Sequence, residues 1–222
     1  MEKEITTQER LRELGDDVLA MGGLVQKAIG RAIEALKKRD LNLAHQVIAD
    51  DAKVNEQRFN IEDKCIALSS AHLLPPGDMR IVISILNIIT ELERVGDYAA
   101  GIGKIAIMIG DEPPLKPLID IPRMGDITIE MIDKSLRSFL TRDVQLAKQV
   151  ISLDTVVDSL YDQVFRELLT FMMTDPKTIN RATRLIWVAH NLERAADRAT
   201  NICERVIFTV TGKMEEIGSE KY

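Results

Sequence analysis

Leu92-Glu93-Arg94-Val95-Gly96-Asp97 returns one hundred residues later as Leu192-Glu193-Arg194-Ala195-Ala196-Asp197, and the match continues without a gap through Ala99/Ala199 and Ile102/Ile202. A self-match at fixed spacing makes the chain an internal duplication, and a duplication decides the architecture before any single element is assigned. Further back the register is 103 residues: Arg39-Asp40 falls on Arg142-Asp143, Gln46-Val47-Ile48 on Gln149-Val150-Ile151, Asp51 on Asp154 and Val54 on Val157. The three extra residues of the first copy belong near Leu74-Pro75-Pro76-Gly77, where a connector absorbs them.

At 222 residues, with 45% apolar and 29% charged residues, the chain can bury substantial cores and is not disordered by composition. Aromatics are only 4%, so Leu, Ile, Val, Ala and Met must fill those cores, which suits helix-on-helix packing. The net charge of -6 argues against a general grip on nucleic acid. Met1-Glu2-Lys3-Glu4 does not read as a secretion signal. The most apolar run, Ile81 to Ile89, is interrupted by Ser84 and Asn87 and falls short of the roughly 20 residues that span a bilayer. A cytoplasmic protein without membrane insertion is expected. Cys65 and Cys203 have no cysteine at their repeat partners and read as core thiols.

Helical periodicity is clearest in the first segment. Leu11, Leu14, Val18, Met21, Val25, Ala28, Ala32 and Leu36 alternate by three and four, as a helix burying one stripe requires. Gly22-Gly23 inside it predicts a close helix contact. Asp40 should cap a second helix reaching about Ser70, with Leu43, Val47, Val54, Ile61 and Leu68 inward. Pro75-Pro76-Gly77-Asp78 breaks the chain, and Asp78 is the expected cap of helix three. The second copy repeats the plan. Helix four carries Met124, Ile127, Met131, Ile132 and Leu136, helix five starts at Asp143, and helix six follows Asp175-Pro176. The expected fold is all-α, a tandem duplication of a three-helix bundle: residues 1–110, a proline-bearing linker 111–122, and residues 123–222.

Glu193, Asp197 and Asn201 are spaced i, i+4, i+8, drifting about 40° per step, and so line one helix face. Glu93 and Asp97 repeat the pair. The second helix of each copy adds Asp51/Asn55 and Asp154/Asp158 at the same spacing. Like charges at i, i+4 disfavour a helix by roughly 0.2–0.5 kcal/mol, so a cation or an arginine should offset them. Carboxylate and amide oxygens suit hard cations. The plainer reading, a solvated acidic face or half of an ion-pair network, accounts for the same pattern. A carboxylate-bridged metalloenzyme is the enzymatic alternative. It is disfavoured because none of His45, His72 and His190 follows a glutamate by three, the order used in di-iron bundles. Nucleophile–histidine pairs and phosphate-cradling glycine loops are also missing from the sequence, so no catalytic residue is assigned.

Leu92–Ala99, Asn191–Ile202, Pro76-Gly77-Asp78-Met79-Arg80, Asp51–Asn55 and the Arg39-Asp40 hairpin together resemble the PhoU family, over nearly the whole chain. The resemblance implies a fold of two PhoU domains. It implies an acidic motif on Glu93/Asp97 and Glu193/Asp197 that holds metal, with Asp51, Asn55, Asp154 and Asp158 beside it. The ions implied are iron, manganese, zinc, magnesium or calcium. It also implies a homodimer and a non-enzymatic regulator of phosphate uptake and phosphate-starvation signalling, which contacts the ATPase of a phosphate ABC transporter and a sensor histidine kinase. Two departures, neutral Asn55 where copy two has Asp158 and Gly101 where it has Asn201, predict the stronger metal site in copy two.

Overall fold

A computed structural model describes residues 6–71 and 73–213; the Met1–Glu4 leader reading and His72 lie outside them. Among the described residues there are six α-helices: α1 Thr7–Lys38, α2 Leu41–Ala71, α3 Pro76–Ile109, α4 Asp120–Thr141, α5 Val144–Thr174 and α6 Ile179–Thr211. A single 3-10 turn, Pro176–Thr178, precedes α6. None of these helices is long and apolar enough to cross a membrane.

Local chemistry sets most boundaries. Thr6 and Glu9 close a capping box at the start of α1. Both hairpins then use one device. Arg39 and Arg142 take the left-handed conformation at φ 58° and 56° to end α1 and α4. Asp40 and Asp143 then accept the Leu43 and Leu146 amides at 2.9 and 3.0 Å to start α2 and α5. Asp175 accepts the Lys177 amide at 3.0 Å, starting the turn before α6. Asp78 does not cap α3. The N-cap position is Pro75, and Asp78 sits inside the first turn, where it favours the helix dipole and accepts from Gln8 of α1. Asp120–Pro122, assigned to the linker from sequence, form the first turn of α4, which tolerates a proline there.

Each repeat is a three-helix bundle, but the bundles are fused and share one apolar cluster. Helices α3 and α6 pack antiparallel, as do α1 and α4, while α2 meets only α1 and α3. The two contacts obey an approximate internal two-fold. Gly22 of α1 receives Leu136 of α4, and Gly125, its repeat equivalent, receives Ile33, the equivalent of Leu136. A Cβ on Gly22 would stand 2.1 Å from Leu136 Cδ1, and one on Gly125 1.9 Å from Ile33 Cδ1. Gly22 therefore makes the expected close contact, whereas a Cβ on Gly23 meets nothing within 4 Å.

This contrast fixes a stability prediction. Gly22→Leu or Gly125→Leu should cost about 2 kcal/mol or more by overpacking the α1–α4 seam. Gly23→Ala should gain up to about 1 kcal/mol, because an open helix interior rewards the loss of glycine's chain entropy. Thermal melts of the three variants check it; a destabilised Gly23→Ala beside a neutral Gly125→Leu would contradict the packing. Cys65 and Cys203 are buried free thiols, pushed up to about 12 by burial, and are chemically quiet core residues.

Candidate functional site

Packing α3 against α6, α1 and α2 leaves one exposed arc along α3, and α6, packed against α3, α5 and α4, has the matching arc. The side of the arc facing the bundle's second helix carries the acidic pair. In the second repeat this brings α5 and α6 carboxylates together. Glu193 is pushed up to about 7, first by burial and then by the negative charges of Asp197, Asp158 and Asp154; only Arg194 opposes them. Asp154 is itself 6% exposed. Glu193 Oε2 is buried without a hydrogen-bond partner. His190 Nδ1 stands 3.4 Å from that oxygen. The contact is not an ion pair at neutral pH, because burial and Arg194 hold the imidazole below its usual range and hence uncharged. Tyr161 of α5 closes the site, its ring 6.0 Å from that of His190.

The first repeat is built differently. Glu93 is drawn to Arg58 of α2, Oε1 to Nη1 at 3.4 Å, and Arg58 also lies 3.9 Å from Glu62. Asp51 is raised by burial and by Asp97, but Lys104 acts against the shift and Asn55 donates to it at 3.4 Å. The cations are particular to this copy: Arg58 aligns with Tyr161 and Lys104 with Glu204. Of the nine expected site residues, Asp154, Asp158, Glu193 and Asp197 form one interacting group, and Asp51, Asn55 and Asp97 form another. Glu93 turns to Arg58. Asn201 donates its amide to Glu91 across the α3–α6 seam at 3.1 Å, alongside Arg198 at 3.2 Å.

Arg58, Lys104 and Tyr161 were not among the expected site residues. The repeat alignment could have found them, since it places a cation opposite a neutral or acidic residue at both positions. Among the described residues no group of three or more His, Cys, Asp or Glu side chains is placed so that it could hold a metal ion. The donor set of the second repeat, four carboxylates with a buried acceptor oxygen, is of the type a hard divalent cation takes, with Arg194 near Glu193 and Arg198 4.0 Å from Asp197 as the cations already beside it.

Comparison with known proteins matches the family model described as the PhoU domain twice, at residues 18–106 and 121–206. A relative in Aquifex aeolicus named phosphate-specific transport system accessory protein PhoU homolog is 41% identical, covering 84% of each chain. One of the same name in Caulobacter vibrioides is 39% identical over 96% of this chain and 92% of its own. The crystal structure of PhoU from Pseudomonas aeruginosa superposes with a TM-score of 0.88 at 34% identity, over 94% of this chain and all 100% of that one. The phosphate transport system regulatory protein PhoU from Streptococcus pneumoniae gives 0.88 at 28% identity, over 96% of this chain and 100% of that chain.

Proposed function

The chain belongs to the PhoU family, and on that premise we propose that it regulates phosphate uptake and phosphate-starvation signalling without catalysing a reaction. In this reading it couples a phosphate ABC transporter, through the transporter's ATPase, to a sensor histidine kinase, and represses the starvation response when phosphate is ample. The observation that carries the reading is the double PhoU domain at residues 18–106 and 121–206, in company with relatives named as accessory proteins of phosphate transport. A strain lacking the protein should express its starvation genes in phosphate-rich medium, and the intact chain should restore repression. Normal repression in its absence would refute the role.

Metal binding is part of the proposal. Asp154, Asp158, Glu193 and Asp197 would hold the ion in the second repeat, with Asn201 at its edge; Asp51, Asn55, Glu93 and Asp97 are the counterparts in the first. Oxygen donors of this kind take magnesium, calcium, manganese or iron, and zinc less selectively. The ion would cancel the repulsion that Glu193 feels and tie α5 to α6, where a partner could sense it. Mass spectrometry of protein purified without tag or chelator should find about stoichiometric metal; folded, metal-free protein would reassign the acidic faces to partner docking. The metalloenzyme alternative predicts turnover of phosphate esters that disappears in Glu193→Ala, and no such turnover is expected.

A further inference from the structure

The internal two-fold gives the molecule two related clefts, one where α1, α3 and α6 meet the linker and one where α3, α4 and α6 meet the first turns of α1. Leu36, Arg39, Ile109 and Leu185 floor the first, and their equivalents Phe139, Arg142, Thr209 and Ile85 floor the second. The first is closed by the linker. Arg39 donates to the Asp111 carbonyl at 3.3 Å, Arg181 donates to the Pro113 carbonyl at 3.0 Å, and the Glu112 carboxylate lies 3.5 and 3.7 Å from Arg181 and Arg184. Pro113, Pro114 and Leu115 fill the floor, leaving a void of about 30 Å³.

At the opposite end the linker's repeat positions are taken by the start of α1: Gln8, Leu11, Arg12 and Gly15 align with Asp111, Pro114, Leu115 and Leu118. The first turns of α1 run past the cleft but leave a cavity of about 370 Å³. It opens beside a second of about 260 Å³, sharing Ile81, Arg142 and Thr209 with it. Arg12, Arg80 and Arg142 line these cavities, and none of the three makes an ion pair or side-chain hydrogen bond among the described residues. Arg80 Nε is buried without a partner. Asp16 and Asp78 also line the walls, so three guanidinium groups face two carboxylates and the lining keeps a net positive charge.

We propose that this open cleft is a docking site for an extended acidic segment of a partner protein, held as the linker Asp111–Leu118 is by guanidinium groups over an apolar floor, but by a different set: Arg142 matches Arg39, whereas Ile81 and Ser84 stand at the positions of Arg181 and Arg184, and Arg12 and Arg80 supply the other charges. The ligand chemistry is that of the internal template: a carboxylate, as in Glu112, and main-chain carbonyls facing arginines, followed by proline or leucine on the apolar floor. Guanidinium groups suit this role because they bind carboxylates and carbonyls in fixed geometry with little loss of side-chain freedom.

The test uses the template as the probe. A fluorescein-labelled peptide carrying the sequence of residues 110–118 is titrated into the full chain and followed by anisotropy. Its own cleft is filled covalently, so saturable binding reports the open one. The expected result is a Kd in the micromolar range that weakens steeply with salt. Arg80→Gln/Arg142→Gln should weaken it by about tenfold or more while circular dichroism stays helical. A peptide with lysines in place of Asp111 and Glu112 should not bind, and this control holds even if the protein variants misfold. Equal affinity for the acidic and basic peptides overturns the proposal. So does failure of the full chain to saturate at about 1 mM peptide.

Discussion

The double variant Glu193→Ala/Asp197→Ala should lose most of the protein's bound divalent metal, the matched Glu93→Ala/Asp97→Ala variant should lose much less, and Arg58→Tyr should strengthen binding in the first repeat. The difference comes from charge within each cluster. In the second repeat, Asp154, Asp158 and Asp197 all push on Glu193, and their repulsion is relieved by a cation. In the first repeat part of the relief is built in: Arg58 sits 3.4 Å from Glu93, and Lys104 partly opposes the upward push that burial and Asp97 exert on Asp51. An arriving ion must displace Arg58 and bind beside residual positive charge. Site affinity for hard cations tracks ligand charge, and losing even a supporting group typically costs 10–100-fold. The gap between the repeats should therefore be at least about tenfold, read by isothermal titration of each double variant. Arg58→Tyr copies the residue found at the same place in the second repeat, and it also removes a buried guanidinium nitrogen that lacks a hydrogen bond. Equal metal loss from both double variants would sink the account.

The fold was largely legible because three independent signals agreed: the repeat, the three-four apolar alternation, and a hairpin cap used twice. Leu11, Leu14, Val18, Met21 and Val25 are all buried as the alternation requires. What the sequence hid was long-range. A cap is local, yet Asp78 is claimed by Gln8 from 70 residues away, which no local pattern encodes. The fusion of the bundles through Gly22 and Gly125 shows in sequence only as two aligned glycines, whose meaning depends on which helix faces them. The acidic positions were equally plain, but their states were not. Spacing places Glu93 and Glu193 identically, while burial and the neighbour on the adjacent helix, Arg58 or Tyr161, decide that one is paired and the other is pressed toward protonation. The linker likewise read as a tether. Its role as a plug rests on Arg39, Arg181 and Arg184, which lie on α6 and at the end of α1.

Stability of the metal-free protein should fall as pH rises from about 6 to 8, and a divalent cation should restore it most at the upper end. Glu193 begins from an ordinary value of 4.5 in the unfolded chain and reaches about 7 in the fold. Between those values the folded state holds a proton that the unfolded state has lost. A group raised in this way contributes stability that is complete below 4.5 and is lost as pH climbs through about 7. Burial sets the sign first and the charges facing Glu193 reinforce it: Asp197 from its own helix and Asp158 and Asp154 from α5 raise it, with Tyr161 of α5 and the lowered His190 imidazole beside it, while Arg194 favours ionisation. A bound ion reverses the order, because it prefers the ionised carboxylate and repels the proton. Thermal melts in chelator should thus show a lower Tm at pH 8 than at pH 6, and the manganese- or magnesium-induced rise should be larger at pH 8. Glu193→Gln keeps the shape of the side chain, abolishes its titration, and should flatten the chelator curve over this interval. A chelator curve that rises from pH 6 to 8, or that keeps its slope in Glu193→Gln, would show that the four carboxylates are not coupled as the packing of α5 on α6 places them.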